Sequence, residues 1–215
     1  MAKGAVSAPP QIMKLSYFGD SYDIVKKTLL QWLSPYGPWS AHPMFTEPVD
    51  SLEAERFSRF LGVPLVSEEV LRVGCDRRSY FQPCSRCQSL FLDPDTGVRL
   101  KPVRRGRAPR YIFADELIDL VGARPGWLTL VFDQALAIGS EHKQIRDKLK
   151  YFAEKGVHGF AYMAQASFIV LAQARIIRRA RQSLLKASGL PTRRIVSLAD
   201  QYQTKTAARK PCHGY

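Results

Sequence analysis

Acidic residues follow three stretches of the sequence that predict buried strands. Glu47 comes after residues 39–45, Asp93 and Asp95 come after the run SLFL, and Asp133 comes after WLTLVF. Because ligands of an open parallel sheet bind beyond the carboxyl ends of its strands, we expect these carboxylates to converge. Oxygen ligands suit Mg²⁺ or Mn²⁺, and such an ion can activate water for attack on a phosphodiester. We therefore predict Asp93, Asp95 and Asp133 as catalytic residues, and Asp93, Asp95 and Glu47 as metal ligands.

The Asp93-Pro94-Asp95 element carries the strongest part of this prediction. Its first acid ends a predicted strand, and the fixed φ angle of proline sets the direction in which the chain leaves that strand. The second acid can then return toward the same crevice. The alternative is that Asp95-Thr96-Gly97 forms a turn, in which aspartate and glycine are common.

A basic loop follows this acidic element. It carries five cations, which are Lys101, Arg104, Arg105, Arg107 and Arg110. Such side chains hold a phosphate backbone through charge-assisted hydrogen bonds, so we predict that they bind nucleic acid. The alternative is a solvated loop without a partner. Three nearby aromatic residues, Tyr80, Phe81 and Tyr111, either stack on bases or pack in the interior.

Cysteine spacing leaves a zinc site as a less favoured hypothesis. Cys75, Cys84 and Cys87 form a C-x8-C-x2-C cluster, and a fourth ligand such as His42 or the Cys212-His213 pair would have to come from a distance. Structural zinc sites usually combine two closely spaced ligand pairs, which this sequence lacks. We expect free thiols, as in a reducing compartment.

Several catalytic motifs are missing from the sequence. There is no GxGxxG opening a helix after the first strand, no GxxxxGK[ST] and no GxSxG. These absences argue against a dinucleotide-binding fold, a P-loop NTPase and a nucleophile-elbow hydrolase.

The elements that position these residues follow from apolar periodicity. Strands and helices alternate along the chain, which predicts a three-layer α/β fold with a mostly parallel, Rossmann-like sheet. Two further strands, at residues 158–163 and 167–171, are too close for a helical crossover and predict an antiparallel C-terminal hairpin. Helices are predicted at residues 20–33, 52–61, 114–121, 141–155 and 175–187, and other strands at 39–45, 63–66, 89–93 and 127–133.

Composition along the chain predicts one domain between two tails. Residues 1–15 are predicted to be a flexible N-terminal segment, 16–191 a single α/β domain, and 192–215 a basic C-terminal tail. Within the domain, residues 67–71 suggest a helical turn, and the polar stretch 72–83 is predicted to be irregular.

The net charge is the most informative single property. The 215 residues carry a formal charge of +13 and 46% hydrophobic residues, which predicts a globular chain with a polyanionic partner, DNA or RNA. The alternative is that the charge serves solubility or resides in a basic tail. No apolar stretch approaches the roughly 20 residues of a membrane span, and no secretory signal is present, so we expect no membrane partner and a cytoplasmic location.

Two segments resemble known proteins. YFGDSYDIVKKTLLQWL at residues 17–33 and SLFLDPDTG at 89–97 resemble a loosely defined group of uncharacterised bacterial and phage-associated proteins with GDxYDxxK and FLDPDTG motifs. They are more distantly similar to the ribosomal RNA adenine-N6 methyltransferases, which have class I methyltransferase folds. The resemblance implies S-adenosylmethionine as an alternative cofactor. It matches Asp20, Asp23 and Lys27 to an acid and lysine pattern on a leading helix, and Asp93-Pro94 to the motif after the fourth strand.

The sequence also differs from the methyltransferases. Residues 46–49 (TEPV) replace their glycine-rich loop, and Asp95-Thr96 replaces the pair that grips the target adenine. We therefore place a metal-dependent nuclease first, with a methyltransferase-like protein or a catalytically silent nucleic-acid-binding protein as alternatives. Asp23 and Lys27 also have a purely structural alternative, an i,i+4 ion pair on a helix.

Overall fold

Apolar strands from all parts of the chain pair into one six-stranded sheet with helices on both faces. The computed structural model describes residues 18–198. The helices are α1 (Ser21–Trp32), α2 (Ser51–Leu61), α3 (Arg77–Phe81), α4 (Ala114–Gly122), α5 (Glu141–Glu154) and α6 (Ala174–Ser188). The strands are β1 (Trp39–His42), β2 (Ser89–Leu92), β3 (Gly97–Arg99), β4 (Tyr111–Phe113), β5 (Thr129–Asp133), β6 (His158–Met163), β7 (Ser167–Ala172) and β8 (Ile195–Ser197).

The large sheet is mixed, in the order β1-β2-β5-β7-β6-β8. β1, β2 and β5 are parallel neighbours, whereas β7 is antiparallel to both β5 and β6, and β8 is antiparallel to β6. The predicted C-terminal hairpin is therefore confirmed as β6 and β7. β7 and β8 are antiparallel to the other four strands, whereas the sequence predicted a single antiparallel strand.

The strands separate two apolar layers because successive side chains point to opposite faces. Leu90 and Leu92 of β2 pack in one cluster with α4 and α5, and Phe91 packs in the other with α1, α2 and α6. All residues of β2, β5 and β7 are buried. Strands covered on both faces in this way make the three-layer arrangement that the alternating pattern predicts.

A second, two-stranded sheet attaches to the large one. β3 and β4 are parallel, and β3 lies against the end of β5, where the Val98 amide donates to Asp133 Oδ1 at 3.0 Å. The basic loop that connects β3 to β4 is thereby held at the carboxyl end of the central strands.

Local sequence signals set several helix ends. The Asp20 side chain caps α1 by accepting from the amides of Tyr22 at 2.8 Å and Asp23 at 3.0 Å. At the other end of the domain, Gly189 ends α6 with a left-handed φ of 64°. None of the helices within residues 18–198 is long and apolar enough to cross a membrane.

Four details differ from the sequence predictions. β1 stops at His42 because Pro43 lacks an amide donor and Met44 takes a φ of 51°. Residues 63–66 contribute a single bridge, from Leu65 to Ala41. Residues 67–71 are not helical, whereas the region from 72 to 83, predicted to be irregular, contains α3.

The large sheet extends beyond residue 191, the predicted end of the domain. β8 lies within the segment assigned to a basic tail and pairs with β6 from Phe160 to Tyr162. Its three apolar or small residues, IVS, are too short a run to distinguish from a loop by periodicity. The predicted flexible segment 1–15 and residues 199–215 lie outside the described part of the chain.

Gly97 provides a test of how β3 docks on β5. It has a φ of +133°, and an added Cβ would lie 2.2 Å from Asp133 Oδ1 and 2.9 Å from Asp133 Cα. We expect Gly97→Ala to lower the free energy of unfolding by more than about 2 kcal/mol, because backbone strain adds to the overlap. Urea denaturation measures the loss.

The matched control is Gly122→Ala at the end of α4, where an added Cβ meets nothing within 4 Å. This change should be neutral, or stabilising by up to about 1 kcal/mol. Equal effects of the two substitutions would contradict the close approach of β3 and β5.

Candidate functional site

Asp93 lies at the centre of a buried charged cluster beyond the end of β2. It is only 1% exposed, and its Oδ2 accepts a hydrogen bond from Lys26 Nζ at 2.8 Å. The same ammonium donates to Asp23 Oδ1 at 2.9 Å, and Asp23 Oδ2 accepts from the Gly19 amide at 2.9 Å. We call Asp23, Lys26 and Asp93 the buried triad.

Helical and strand geometry bring the triad together. Asp23 and Lys26 are three residues apart in α1 and therefore lie on the same face of that helix. Asp93 follows Leu92, which faces α4 and α5, so the Asp93 side chain faces α1. The ring of Phe132 on β5 closes the site from another side, with Lys26 Nζ 4.7 Å from its centroid.

The lysine of the triad is not the one that the sequence predicted. Lys26 pairs with Asp23, whereas Lys27 lies over the ring of Phe60, with Nζ 4.8 Å from its centroid. The i,i+4 ion pair of Asp23 with Lys27 was wrong, because the i,i+3 lysine points inward and the i,i+4 lysine follows the helix surface.

Charge within the triad is unbalanced. Two carboxylates share one ammonium, and burial raises the pKa of Asp93 to about 6, with Lys26 opposing the shift. Burial disfavours the charged form of Lys26, yet the carboxylates of Asp93 and Asp23 together raise its pKa. Asp93 Oδ1 is buried and has no hydrogen-bond partner among residues 18–198. The site therefore has an acceptor and a negative charge left to bind a proton, a cation or a donor.

Asp133 belongs to a separate ion pair on the opposite face of the sheet. Leu92 is level with Val131 in the parallel register, so Asp93 is level with Phe132, and Asp133 points the other way. Lys148 of α5 donates to Asp133 Oδ2 at 2.6 Å. Asp133 Oδ1 accepts from the amides of Val98 and Ala135, both at 3.0 Å. Asp133 thus anchors α5, β3 and the chain after β5.

Asp95 and Glu47 lie outside both of these clusters. Asp95 forms an ion pair with Arg110, and the amide of the neighbouring Thr96 donates to the Arg110 carbonyl at 2.8 Å. Glu47 is half-buried in the loop after β1. Of the predicted acids, Asp93, Asp95 and Asp133 each pair with a different cation. In the described part of the chain, no group of three or more His, Cys, Asp or Glu residues is arranged to hold a metal ion.

The basic loop presents four of its five cations to solvent. Part of it, Arg105–Arg110, is a 3₁₀ helix, and the exposed cations are Lys101, Arg104, Arg105 and Arg107. Arg110 is half-buried against Asp95. Tyr80, Phe81 and Tyr111, for which the sequence left base stacking and interior packing open, are all buried, so they pack in the interior.

A second basic surface was not assigned a role from the sequence. α6 has no acidic residue, and three of its exposed cations, Arg175, Arg179 and Lys186, lie along one stripe of the helix because they are four and seven residues apart. We call these three residues the α6 stripe. Residues 155–198 as a whole contain eight lysines and arginines and no aspartate or glutamate. This run of cations without acids is the sequence pattern that could have indicated the α6 stripe.

Of the cysteines within residues 18–198, Cys84 lies in the apolar cluster with α4 and α5, and Cys75 and Cys87 pack against that cluster. Cys75, Cys84 and Cys87 are free. Cys84 is buried in the apolar cluster, and burial raises its thiol pKa to about 12, which disfavours the thiolate that binds zinc. His42 is also buried, and burial lowers its pKa to about 4, so the ring is neutral and packs edge-on against Tyr80.

Comparison of the chain with protein-family models, with curated proteins and with solved structures finds no match.

The buried triad predicts an unusual pattern of stability. Lys26→Met leaves Asp93 buried without its cation, so we expect a loss of about 3–5 kcal/mol in the free energy of unfolding. Adding Asp93→Asn removes the uncompensated charge while keeping the side-chain volume. The double variant should therefore be more stable than the single variant. Chemical denaturation at neutral pH measures both.

An exposed lysine and aspartate pair provides the control. Lys143 donates to Asp147 at 2.7 Å on the surface of α5, and Lys143→Met should change stability by less than about 1 kcal/mol. If Asp93→Asn makes the Lys26→Met protein still less stable, buried charge is not what links the two residues.

Proposed function

We propose that this protein binds nucleic acid through contacts with phosphate groups, and that the α6 stripe is the main contact surface. The observation that carries the proposal is the run of eight cations without an acid in residues 155–198. Nucleic-acid affinity comes largely from neutralising phosphates, and a surface without carboxylates attracts them with no opposing charge.

Residues 18–198, which the structure describes, carry most of the positive charge. Residues 18–198 contain 27 lysines and arginines against 18 aspartates and glutamates, a formal excess of nine out of the total of 13. Three of those acids, Asp23, Asp93 and Asp133, are buried, and so are three of the cations, Lys26, Arg124 and Lys148, so the excess of nine lies on the surface. This distribution supports a nucleic-acid partner over the alternative in which a basic tail accounts for the charge.

The mode of binding we propose is largely independent of base sequence. The aromatic residues near the basic loop are buried, and arginines spaced along a helix contact a backbone without reading base edges. The four exposed cations of the basic loop, Lys101, Arg104, Arg105 and Arg107, stay a predicted second contact.

A second candidate function, metal-dependent phosphodiester hydrolysis, rests on Asp93 Oδ1. This atom is buried without a partner among the described residues and lies at the end of β2, where ligands of α/β sheets bind. A Mg²⁺ or Mn²⁺ ion at this position would compete with the Lys26 ammonium for Asp93 and Asp23, and it would supply an activated water.

The finer description of the scaffold as Rossmann-like, or related to class I methyltransferases, is also a proposal. It is supported by the parallel β1, β2 and β5 and by the antiparallel hairpin that extends the same sheet. Under this alternative the ligand near Asp93 is S-adenosylmethionine.

Binding to nucleic acid should depend strongly on salt and on the α6 stripe. We expect the combined change Arg175→Ala, Arg179→Ala and Lys186→Ala to weaken binding. It should also reduce the slope of log K against log salt by about one for each phosphate that the variant no longer neutralises. Fluorescence anisotropy with labelled DNA and RNA of mixed sequence, between about 50 and 200 mM salt, measures both quantities.

The control removes two exposed arginines of α2, Arg56 and Arg59, which share their helix with Glu53 and Glu55. This control should leave the slope unchanged. A salt-independent affinity of the wild type, or equal losses of affinity in the stripe variant and the control, would contradict the proposed surface. The same assay on Arg104→Ala, Arg105→Ala and Arg107→Ala tests the basic loop.

Asp93→Asn separates binding from chemistry in the second candidate function. Asparagine keeps the volume of the side chain and still accepts from Lys26, so we expect a folded protein with normal nucleic-acid binding. Cleavage dependent on Mg²⁺ or Mn²⁺ should fall by orders of magnitude, because the ligand charge is lost. Cleavage of labelled single-stranded and double-stranded DNA and RNA measures the rate.

Asp119→Asn, an exposed position of α4, should cleave as the wild type does. Equal rates for Asp93→Asn and the wild type, or no metal-dependent cleavage of any of the four substrates, would remove the hydrolytic function while leaving the binding function intact. A melting temperature raised by S-adenosylmethionine but not by the metals would favour the methyltransferase alternative.

A further inference from the structure

A cavity of about 350 Å³ lies at the edge of the large sheet, between the last turn of α5, the first half of α6 and the strands β6 and β8. Its size falls in the range of small-ligand sites, which is roughly 300–1,000 Å³. Among the described residues, those that matter most to its chemistry are Ala153, His158, Phe160, Ile177, Arg178 and Arg181.

The cavity exists because β8 is shorter than β6. β8 pairs with Phe160, Ala161 and Tyr162, and it ends at Ser197, opposite Phe160. The first two residues of β6, His158 and Gly159, extend beyond that last pair. α5 covers one face of the sheet and α6 covers the other. The end of β6 that extends beyond β8 is therefore left open between the two helices.

The strand register places the cavity far from the acidic ends of the central strands. His158 begins β6 and pairs with Ala172, whereas Asp133 pairs with Ser167 at the other end of β7. Five residues of β7 separate these two levels, which is about 17 Å along the strand. The cavity is therefore distinct from the buried triad and from the Asp133 ion pair.

The chemistry of the lining points to an anionic ligand with an apolar part. Arg178 and Arg181 are one turn apart on α6, and His158 lies across from them on β6. None of the described residues that line the cavity is an aspartate or a glutamate. Side chains of Ala153, Phe160 and Ile177 contribute an apolar wall. Guanidinium groups bind phosphate oxygens through paired hydrogen bonds, and an apolar wall suits a flat ring.

We propose that this cavity binds one nucleotide unit, with the phosphate at Arg178 and Arg181 and the base against the apolar wall. The inference deepens the proposed nucleic-acid function and rests on it. The α6 stripe, through Arg175, Arg179 and Lys186, holds neighbouring phosphates, and the cavity on the adjacent side of the same helix receives a single nucleotide. A free mononucleotide offers the same chemistry as a nucleotide within a chain.

Isothermal titration calorimetry of the full chain with AMP tests the site, with adenosine and inorganic phosphate as separate probes. We expect AMP to bind with one-to-one stoichiometry and more tightly than either probe alone. Arg178→Ala with Arg181→Ala should weaken AMP binding by at least about tenfold, because the charge-assisted hydrogen bonds to the phosphate are lost. Ala174→Trp, at an exposed position that lines the cavity, should have a similar effect without removing charge or disturbing the interior.

The matched control removes the same amount of charge from the neighbouring face of the helix. Arg175→Ala with Arg179→Ala should weaken binding of a long oligonucleotide but leave AMP affinity within about twofold, because neither residue lines the cavity. Equal loss of AMP binding in the two double variants, or unchanged AMP affinity in Ala174→Trp, would overturn the site.

The remaining outcomes separate this inference from the proposed function. Salt-dependent oligonucleotide binding without saturable AMP binding overturns the cavity site alone. AMP binding without any oligonucleotide binding overturns the nucleic-acid function and assigns the cavity to a free nucleotide. Competition between AMP and a short oligonucleotide, abolished in Ala174→Trp, supports a nucleotide unit within a chain.

Discussion

Two lysines compensate the charges of two aspartates that end neighbouring central strands. Lys26 comes from α1 on one face of the sheet to Asp93, and Lys148 comes from α5 on the other face to Asp133. An unpaired carboxylate in either place would lose several kcal/mol of solvation. Because both pairs are almost inaccessible to water, the positions of α1 and α5 relative to β2 and β5 depend on them. The β3–β4 sheet depends on Asp133 as well, through the Val98 amide.

The two pairs differ in what they leave unsatisfied. Asp133 is saturated by Lys148 and two backbone amides, which is the pattern of a structural anchor. Asp93 keeps one oxygen without a partner in the described region and shares its lysine with Asp23. Buried polar groups are nearly always satisfied, and ionisable groups with strongly shifted pKa values concentrate at functional sites. This contrast is why the triad, and not Asp133, is the candidate for chemistry.

Burial removes equal numbers of acids and cations from the outer surface. Asp23, Asp93 and Asp133 are buried, and so are Lys26, Arg124 and Lys148. The positive excess of residues 18–198 therefore lies on the surface, where the α6 stripe and the basic loop are exposed. The three cations of the α6 stripe lie along one side of that helix, and the recess beside it is the proposed nucleotide site. The proposed binding surface and the candidate chemical centre are thus different parts of the molecule.

The sequence by itself determined the helices α1, α2, α4, α5 and α6, the hairpin of β6 and β7, and the overall positive charge, because these depend on local periodicity and composition. It also identified Asp93 as a residue beyond a buried strand. Only the tertiary structure decided that Asp93 and Asp133 point to opposite faces, since this depends on the register between β2 and β5. Pairing across the sheet decided equally that IVS at residues 195–197 is a strand. The choice of Lys26 over Lys27 depended on which face of α1 packs against the sheet, and that face carries Lys26 together with the buried residues Asp23, Leu29 and Leu30.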